Sequence, residues 1–366
     1  MLLGFAVLFE GVPDPRAGNA RHRLTEILFI ALAATLCGAQ SCSDMAEFGE
    51  AKRPLLEEVL DLEHGVPSHD TFSRVFRLLD PEAFAASFRC FAQAFAEALG
   101  GQDRVVALDG KSVRGAYEAG ARATPLHLVS AWAADQRLVL GQRTAHGRAE
   151  TKAALELVGL LRLNGCIVTA DALHGTRAMT AAVRGSGGDY ALALKGNRGP
   201  LHREAVALLD NADPDRLASA ANTAHGRYEH RSAWVLPVPA DWAARHRFTD
   251  LAAVARIDSL RRMPDGAEKR DTRYFVLSRH LEPAAVLRVI RAHWTIENQL
   301  HWILDVVLNE DRARNRKDHA AENLAILRRL ALNILQSDPY RASMRRKIKR
   351  AGWQNEYLLS LLSQMR

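Results

Sequence analysis

The stretch Val105-Val106-Ala107-Leu108-Asp109-Gly110-Lys111 limits the possible folds most, because it is a continuous apolar run that ends on a carboxylate. A strand covered on both faces reads as unbroken hydrophobic residues, so Val105 to Leu108 predicts a central strand of a covered sheet. Asp109 is then a charge at the border of a core. An unpaired ion there costs on the order of several kcal/mol, so the carboxylate calls for a cation, a metal or a set of N–H donors. The other reading of the motif is an Asp that opens a turn before Gly110. The pattern recurs at Cys166-Ile167-Val168-Thr169-Ala170-Asp171, a second short apolar run ending on Asp.

A chain of 366 residues is long enough for two or three domains and a large core. Its 48% hydrophobic and 25% charged residues exclude a disordered chain and a bundle of membrane spans. A net charge of +7 favours a polyanionic partner. Cys37, Cys42, Cys90 and Cys166 form no Cys-x-x-Cys with a histidine partner, and they read as buried thiols in a reducing cytoplasm. The apolar run Ile27 to Leu36 is too short to span a bilayer, and Met1 to Phe9 lacks the basic start of a signal peptide. A cytoplasmic protein without a membrane partner is expected.

Residues 1–98 predict an all-helical region. Within it, Gly65-Val66-Pro67-Ser68 supplies a turn and a cap for a helix with Phe72, Val75, Phe76 and Leu79 on one side. That helix would present Ser68, His69, Ser73, Arg74 and Arg77 outward, in the manner of a helix-turn-helix facing phosphate, or else form the solvated face of a helical bundle. From residue 99 the periodicity changes. Strands are predicted at Val105 to Leu108, Leu126 to Ala133, Leu138 to Arg143, Cys166 to Asp171 and Tyr190 to Leu194, with helices at Thr151 to Leu163 and about Arg177 to Arg184. Three antiparallel strands followed by helix, strand, helix, strand is the order of a ribonuclease H-like mixed sheet.

In that order the first and fourth strands are neighbours, so Asp109 and Asp171 would meet at one end of the sheet. Two carboxylates so placed repel each other unless a divalent cation lies between them. Oxygen-only ligands favour Mg²⁺ or Mn²⁺, and such a set serves two-metal phosphoryl transfer. A third acid is expected from the long helical stretch Ala284 to Val307, where Val286, Ile290, His293, Leu300 and Leu304 form a stripe that includes Glu297. A Glu on a buried helix face is rare unless it is paired or metal-bound. His293, Glu297 and His301 share that face, but the His-Glu-x-x-His order of a zinc site is absent.

Between these parts, a β-rich insertion is predicted over about 220–280, carrying Arg227, Arg231, Arg256, Arg261, Arg262, Lys269, Arg270 and Arg273, with Trp234 and Trp242 nearby. Arginine beside aromatics suits phosphate contact with base stacking, although a solvated sheet gives the same composition. The catalytic region would close at about residue 335. A basic helical tail over 336–366 follows, where Arg341, Arg345, Arg346, Lys347, Lys349 and Arg350 crowd ten residues.

Taken together, Ala107-Leu108-Asp109-Gly110-Lys111, Thr169-Ala170-Asp171-Ala172-Leu173-His174, Ala193-Leu194-Lys195-Gly196-Asn197, His225-Gly226-Arg227 and His293-Trp294-Thr295-Ile296-Glu297-Asn298-Gln299-Leu300-His301-Trp302 resemble bacterial insertion-sequence transposases of the ISAs type, which include the H-repeat-associated proteins linked to Rhs elements. Gly65 to Phe76 is similar to the family's N-terminal associated domain, so the resemblance covers nearly the whole chain. It implies a DDE mechanism on a ribonuclease H-like fold, with Asp109, Asp171 and Glu297 as a catalytic, metal-binding triad for Mg²⁺ or Mn²⁺. It also implies phosphate-positioning roles for Lys111, Lys195 and Arg291. The partners implied are double-stranded DNA, both terminal inverted repeats and target, and a second copy of the chain, with nucleoid association when DNA is bound.

Three departures stand out. Gly147-Arg148-Ala149-Glu150 replaces the family's common Lys-Thr-Asn-Glu, Gly175-Thr176 stands where Thr-Gln is usual, and Asn197-Arg198 stands for Asn-Gln. An inactive or domesticated DNA-binding copy, or a nuclease without strand transfer, would carry the same acids.

Overall fold

The computed structural model describes residues 2–16, 18, 20–98, 103–116, 125–147, 149–211, 217–224 and 227–365. Six helices come first: α1 (Leu2–Phe9), α2 (Leu24–Leu36), α3 (Cys42–Ala51), α4 (Arg53–Glu57), α5 (His69–Leu78) and α6 (Pro81–Ala98). Strands β1 (Arg104–Val113), β2 (Leu126–Ala133) and β3 (Leu138–Ala145) follow, then α7 (Glu150–Gly159), β4 (Cys166–Ala170), α8 (Arg177–Gly185), β5 (Asp189–Leu194) and α9 (Gly199–Asp210). The insertion holds β6 (Leu217–Ala224), β7 (Arg227–Pro237), α10 (Ala240–His246), β8 (Ala253–Arg262) and β9 (Glu268–Leu277). The chain closes with α11 (Pro283–His293), a π-helical turn (Ile296–His301), α12 (Trp302–Val306), α13 (Ala320–Ser337), α14 (Met344–Trp353) and α15 (Asn355–Leu362).

All nine strands form one sheet in the order β3-β2-β1-β4-β5-β9-β8-β7-β6. β4 lies parallel to both β1 and β5, and the remaining neighbours are antiparallel. The expected insertion is therefore a continuation of the sheet: β9 pairs with β5, Ala193 opposite Phe275, and carries the other three strands outward. β6 escapes sequence reading because Leu-Ala-Ser-Ala-Ala-Asn-Thr-Ala holds few residues that favour strands.

Helices cover both faces. α7, α8, α9 and α10 pack with Val106, Leu108, Val168, Leu192 and Val276. On the other face Val105, Ala107, Ile167, Ala191 and Phe275 meet helices from both ends of the chain in one core. α13 is the axis of that layer, buried over nearly its whole length. Two of its asparagines tie it to neighbours: Asn323 Nδ2 donates to the carbonyls of Phe76 and Leu79, at 2.9 and 2.8 Å, and Asn333 bonds both N–H and C=O of Val139 on the edge strand β3. Arg329 meets Glu310 at 2.7 Å, both side chains fully buried.

The helical stretch after Ser41 is broken into α3 and α4, because Pro54 lacks the N–H that a continuous helix requires. α5 starts after Ser68, whose hydroxyl accepts from the Thr71 N–H. Its Arg77 pairs with Asp318, fastening the helix to the approach to α13. No helix among the described residues is long and apolar enough to cross a membrane.

Candidate active site

β1 and β4 run side by side with Leu108 opposite Ala170, so Asp109 and Asp171 leave the paired region at one edge. β4 stops there, whereas β1 continues to Val113, paired with β2. Asp109 thus sits inside a strand, and the turn at Gly110 does not form. Its side chain borders the space that opens where β4 has ended. Asp171 is held by a local turn in which its Oδ1 accepts from the Leu173 N–H at 2.9 Å.

Glu297 reaches the same space by a route that straight-helix periodicity misses. On an unbroken helix it belongs to the apolar stripe. Here the π-helical turn Ile296–His301 inserts an extra residue per turn, so Ile296 and Leu300 enter the core while Glu297 is exposed. The expectation of a buried Glu297 is thereby corrected: the carboxylate faces a cavity. Thr295, at the entrance to this turn, accepts from Trp132 Nε1 at 2.9 Å and donates to the Ala292 carbonyl at 2.6 Å, which pins the change of helix type to β2.

Asp109, Asp171 and Glu297 line one cavity of about 400 Å³, together with Thr169, Lys195, Arg273, His293 and Trp294. Burial raises the Asp109 carboxyl to about 6, opposed by the Gly110 N–H and reinforced by the charges of Glu297, Asp171 and Glu150. Two histidines flank the acids. His293 Nδ1 lies 3.0 Å from Thr169 Oγ1, and His301 Nδ1 lies 3.5 Å from Asp109 Oδ2. Burial pushes both imidazoles down to about 4, so they are neutral at physiological pH. The donors are carboxylate oxygens, which suit a hard dication. Among the described residues, no group of three or more His, Cys, Asp or Glu is assembled closely enough to be a metal shell.

Sequence reading passed over the group behind Asp109. Glu150, at the start of α7, bonds His127 Nε2 at 2.7 Å and His174 Nε2 at 3.0 Å, and His127 Nδ1 meets Ser112 Oγ at 2.9 Å. These hydrogen bonds hold the Glu150 carboxyl down at about 2. A Cβ on Gly110 would stand 2.6 Å from both the Glu150 carboxyl and His127 Nε2, so a larger residue there would displace this pair. The clue in the sequence was Glu150 itself, the one residue of its motif that matches the common pattern.

The other two departures touch each other. Arg198 Nε donates to the Gly175 carbonyl at 2.7 Å, and a Cβ at Gly175 would come 2.7 Å from the Ala193 carbonyl oxygen. Asn197 Nδ2 bonds the Ala172 carbonyl at 2.9 Å. The loops after β4 and β5 are thus fastened together by the substituted residues, and Thr176 caps α8 through Met179 N–H.

The basic residues fare differently. Lys195 is exposed on the cavity rim. Arg291 is exposed and lines a neighbouring cleft. Lys111 corrects the expectation of phosphate contact: it shares the Asp109 face of β1 but stands two residues farther along the strand, where it is buried with Asp305 at 2.7 Å, Asp311 at 3.0 Å and Glu310 at 3.5 Å. Lys347 is likewise interior, donating to the carbonyls of Leu335 and Asp338 at 2.7 and 2.8 Å. Arg74, Arg345 and Arg346 are exposed, and none of them lines the acid cavity. The Arg227 side chain lies outside the described residues.

Known families and proteins resemble the chain over nearly its whole length. Residues 7–92 match the family described as DDE_Tnp_1-associated, and residues 100–334 match the Transposase DDE domain. The "H repeat-associated putative transposase YhhI" of Escherichia coli (strain K12) is 33% identical over 96% of this chain and 96% of its own. The "Putative transposase YncI" of Escherichia coli O157:H7 is 31% identical over 96% of this chain and 92% of its own. Among solved structures, the piggyBac transposase synaptic complex with hairpin DNA aligns at 11% identity with a TM-score of 0.42, covering 100% of this chain and 80% of that one. With two family matches that together span nearly the whole chain, and relatives alike from end to end, the protein belongs to the DDE transposases, among their H repeat-associated members.

Proposed function

We propose that the chain is a DNA transposase that binds the terminal inverted repeats of its element and carries out metal-dependent strand cleavage and strand transfer. The observation that carries this reading is the meeting of three carboxylates, from segments more than sixty residues apart, in one cavity of a DDE-family chain. A ribonuclease H-like character for the sheet is supported by the order of its first five strands, β3-β2-β1-β4-β5.

Asp109, Asp171 and Glu297 are the residues that would hold Mg²⁺ or Mn²⁺. Bound there, such ions supply a Lewis acid that activates water or a 3′-hydroxyl and stabilises the departing oxygen of an in-line displacement. The chain's own residues position the substrate. Lys195 and Arg273 flank the acids and pair with the phosphodiester, and the arginine is steadied by lying over the Trp294 ring at 4.6 Å. Neutral His293 fixes Thr169, one residue before the end of β4, and Glu150 fixes His174, three residues beyond Asp171. The loop that bears Asp171 is therefore gripped on both sides. The protein acts as a homodimer, since two ends are cut together, and works in the bacterial cytoplasm on nucleoid DNA.

The direct test is cleavage and joining of DNA carrying the element's ends in Mg²⁺ or Mn²⁺, with Asp171→Asn in parallel. Joined products that vanish in the variant are expected. End binding without cleavage by the unsubstituted protein overturns the catalytic reading in favour of a DNA-binding copy, and cleavage without joining points to a nuclease.

A further inference from the structure

The outer strands of the sheet present two faces of different character. Register places Glu229 and Arg231 of β7, Ser259 and Arg261 of β8, and Lys269, Asp271 and Arg273 of β9 on one face. This is the face that α11 covers. Nearer the centre of the sheet it is apolar, with Ala233, Ile257 and Phe275 packed into the core. Farther out it turns basic, and Arg291 joins it from the last turn of α11. On the opposite face the charges are matched: Arg256 with Asp258 and Asp210, and Arg262 with Glu268.

The α11 face is not matched in this way. A cleft of about 80 Å³ there has five cations on its walls, Arg231, Arg261, Lys269, Arg273 and Arg291. Two carboxylates answer them. Glu229 Oε1 is shared by Arg231 and Arg261, at 2.8 Å each, and Asp271 meets Arg273 at 2.6 Å. Among the described residues, Arg291 and Lys269 have no carboxylate partner. Arg231 is half-buried, and burial together with the charges of Arg291 and Arg261 outweighs its pairing with Glu229 and lowers its pKa. The floor of Ile257, Phe275, Leu287 and Ile290 is apolar. A second cleft of about 330 Å³, lined by Arg231, Arg288 and Arg291, continues outward. Inward, Arg273, Phe275, Ile290 and Trp294 line both the basic cleft and the acid cavity. The two spaces are consecutive stations on one path.

We propose that this cleft seats a backbone phosphate of the same DNA strand whose scissile bond lies in the acid cavity, with Arg231, Arg261 and Arg291 as donors and the apolar floor beneath the adjoining deoxyribose. The proposal rests on the DNA-transposase reading and adds a second grip on the strand. Charge complementarity selects the occupant, since a polyanionic chain can satisfy both the rim and its outward continuation, whereas a small anion fills only the cleft.

The test is the salt dependence of binding of the full-length protein to duplex and single-stranded oligonucleotides that carry the element's ends. Removing one cation that meets a phosphate lowers the slope of log K against log salt by about one for duplex. Arg291→Ala and the double variant Arg231→Ala/Arg291→Ala are expected to weaken binding about threefold to tenfold or more and to flatten the slope, with Arg291→Lys recovering part of both. Arg262→Ala, on the matched face, is expected to leave the slope unchanged. Melting curves show whether each variant is folded, and Arg291, being exposed, is the least disruptive position. If the unsubstituted protein binds and the Arg291 and double variants bind with the same affinity and slope, the cleft is not a DNA site. If inorganic phosphate at matched ionic strength competes no better than chloride for the cleft variants but displaces DNA from the unsubstituted protein without any difference in slope, a small-anion site replaces the proposal. Failure of the unsubstituted protein to bind any DNA overturns the underlying transposase reading as well.

Discussion

The two spaces on either side of the Arg273–Trp294 contact carry opposite charge and are built by opposite means. The acid cavity collects Asp109 from β1, Asp171 from the residue after β4 and Glu297 from a helix turn, with Asp271 of β9 also on its wall. The basic cleft collects its arginines by strand alternation across β7, β8 and β9 and from the end of α11. In both, like charges are held together by packing elsewhere, and opposite charges within the chain balance them only in part. The difference is in depth. Asp109 is buried enough for its ionisation to be opposed, which suits a tightly bound dication, while Arg291 and Lys269 stand at an open rim, which suits a ligand that slides and exchanges. On the proposed reading, chemistry and grip are separable.

Separation is sharpest when the chemistry is removed alone. Asp171→Asn, or Glu297→Gln, is expected to lower cleavage and joining by about a thousandfold or more while end affinity in metal-free buffer changes less than about threefold. An equal loss of binding and cleavage would break the distinction. The converse is the Arg231→Ala/Arg291→Ala pair, expected to lose about tenfold in affinity while the rate of a pre-bound complex falls less than that, as single-turnover assays would measure.

A third prediction concerns the strain in the acid cavity itself. The Asp109 carboxyl is raised from 3.8 to about 6 in the fold, so its ionisation opposes folding progressively as pH rises from 3.8 through 6, and the penalty is absent below that range. Asp109→Asn is therefore expected to be inactive yet to melt higher at about pH 7.5 without metal, by roughly 2–6 °C, with no gain near pH 3.5. No change at the higher pH would show that burying the ionised Asp109 carboxylate carries no such penalty.

The smallest effect is expected behind the cavity. Glu150 is depressed from 4.5 to about 2, so its pairing with His127 and His174 stabilises the fold above pH 4.5 and is lost as pH falls toward 2. Glu150→Gln is expected to cost about 1 kcal/mol at neutral pH and to flatten the acid limb of the melting curve. It is also expected to reduce cleavage less than Asp171→Asn does, since Glu150 positions His174 and does not line the cavity. A pH–stability profile identical to that of the unsubstituted protein would remove the histidine pair from the account.

Local pattern made Asp109 and Asp171 legible because an apolar run ending on a carboxylate is visible one strand at a time. Glu297 was singled out for a partly wrong reason: periodicity placed it on a buried stripe, and the π-helical turn took it off again. Lys111 and Lys347 were misread because a lysine's partners are invisible in sequence, and three carboxylates around the first and two carbonyls around the second lie up to two hundred residues away or on a neighbouring turn. The dense run Arg341 to Arg350 shows the same limit, since α14 turns Lys347 inward and leaves Arg345 and Arg346 outside.

By itself, the sequence determined the alternation of elements, the covered strands and the two acids that end their apolar runs, because hydrophobic periodicity and buried-charge cost act over a few neighbouring residues. Tertiary structure alone decided that the outer strands extend the same sheet, that Glu297 turns toward the cavity and that Arg231, Arg261 and Arg291 converge. Those outcomes depend on register and on a helix defect, and both are set by packing between segments that are distant in the chain.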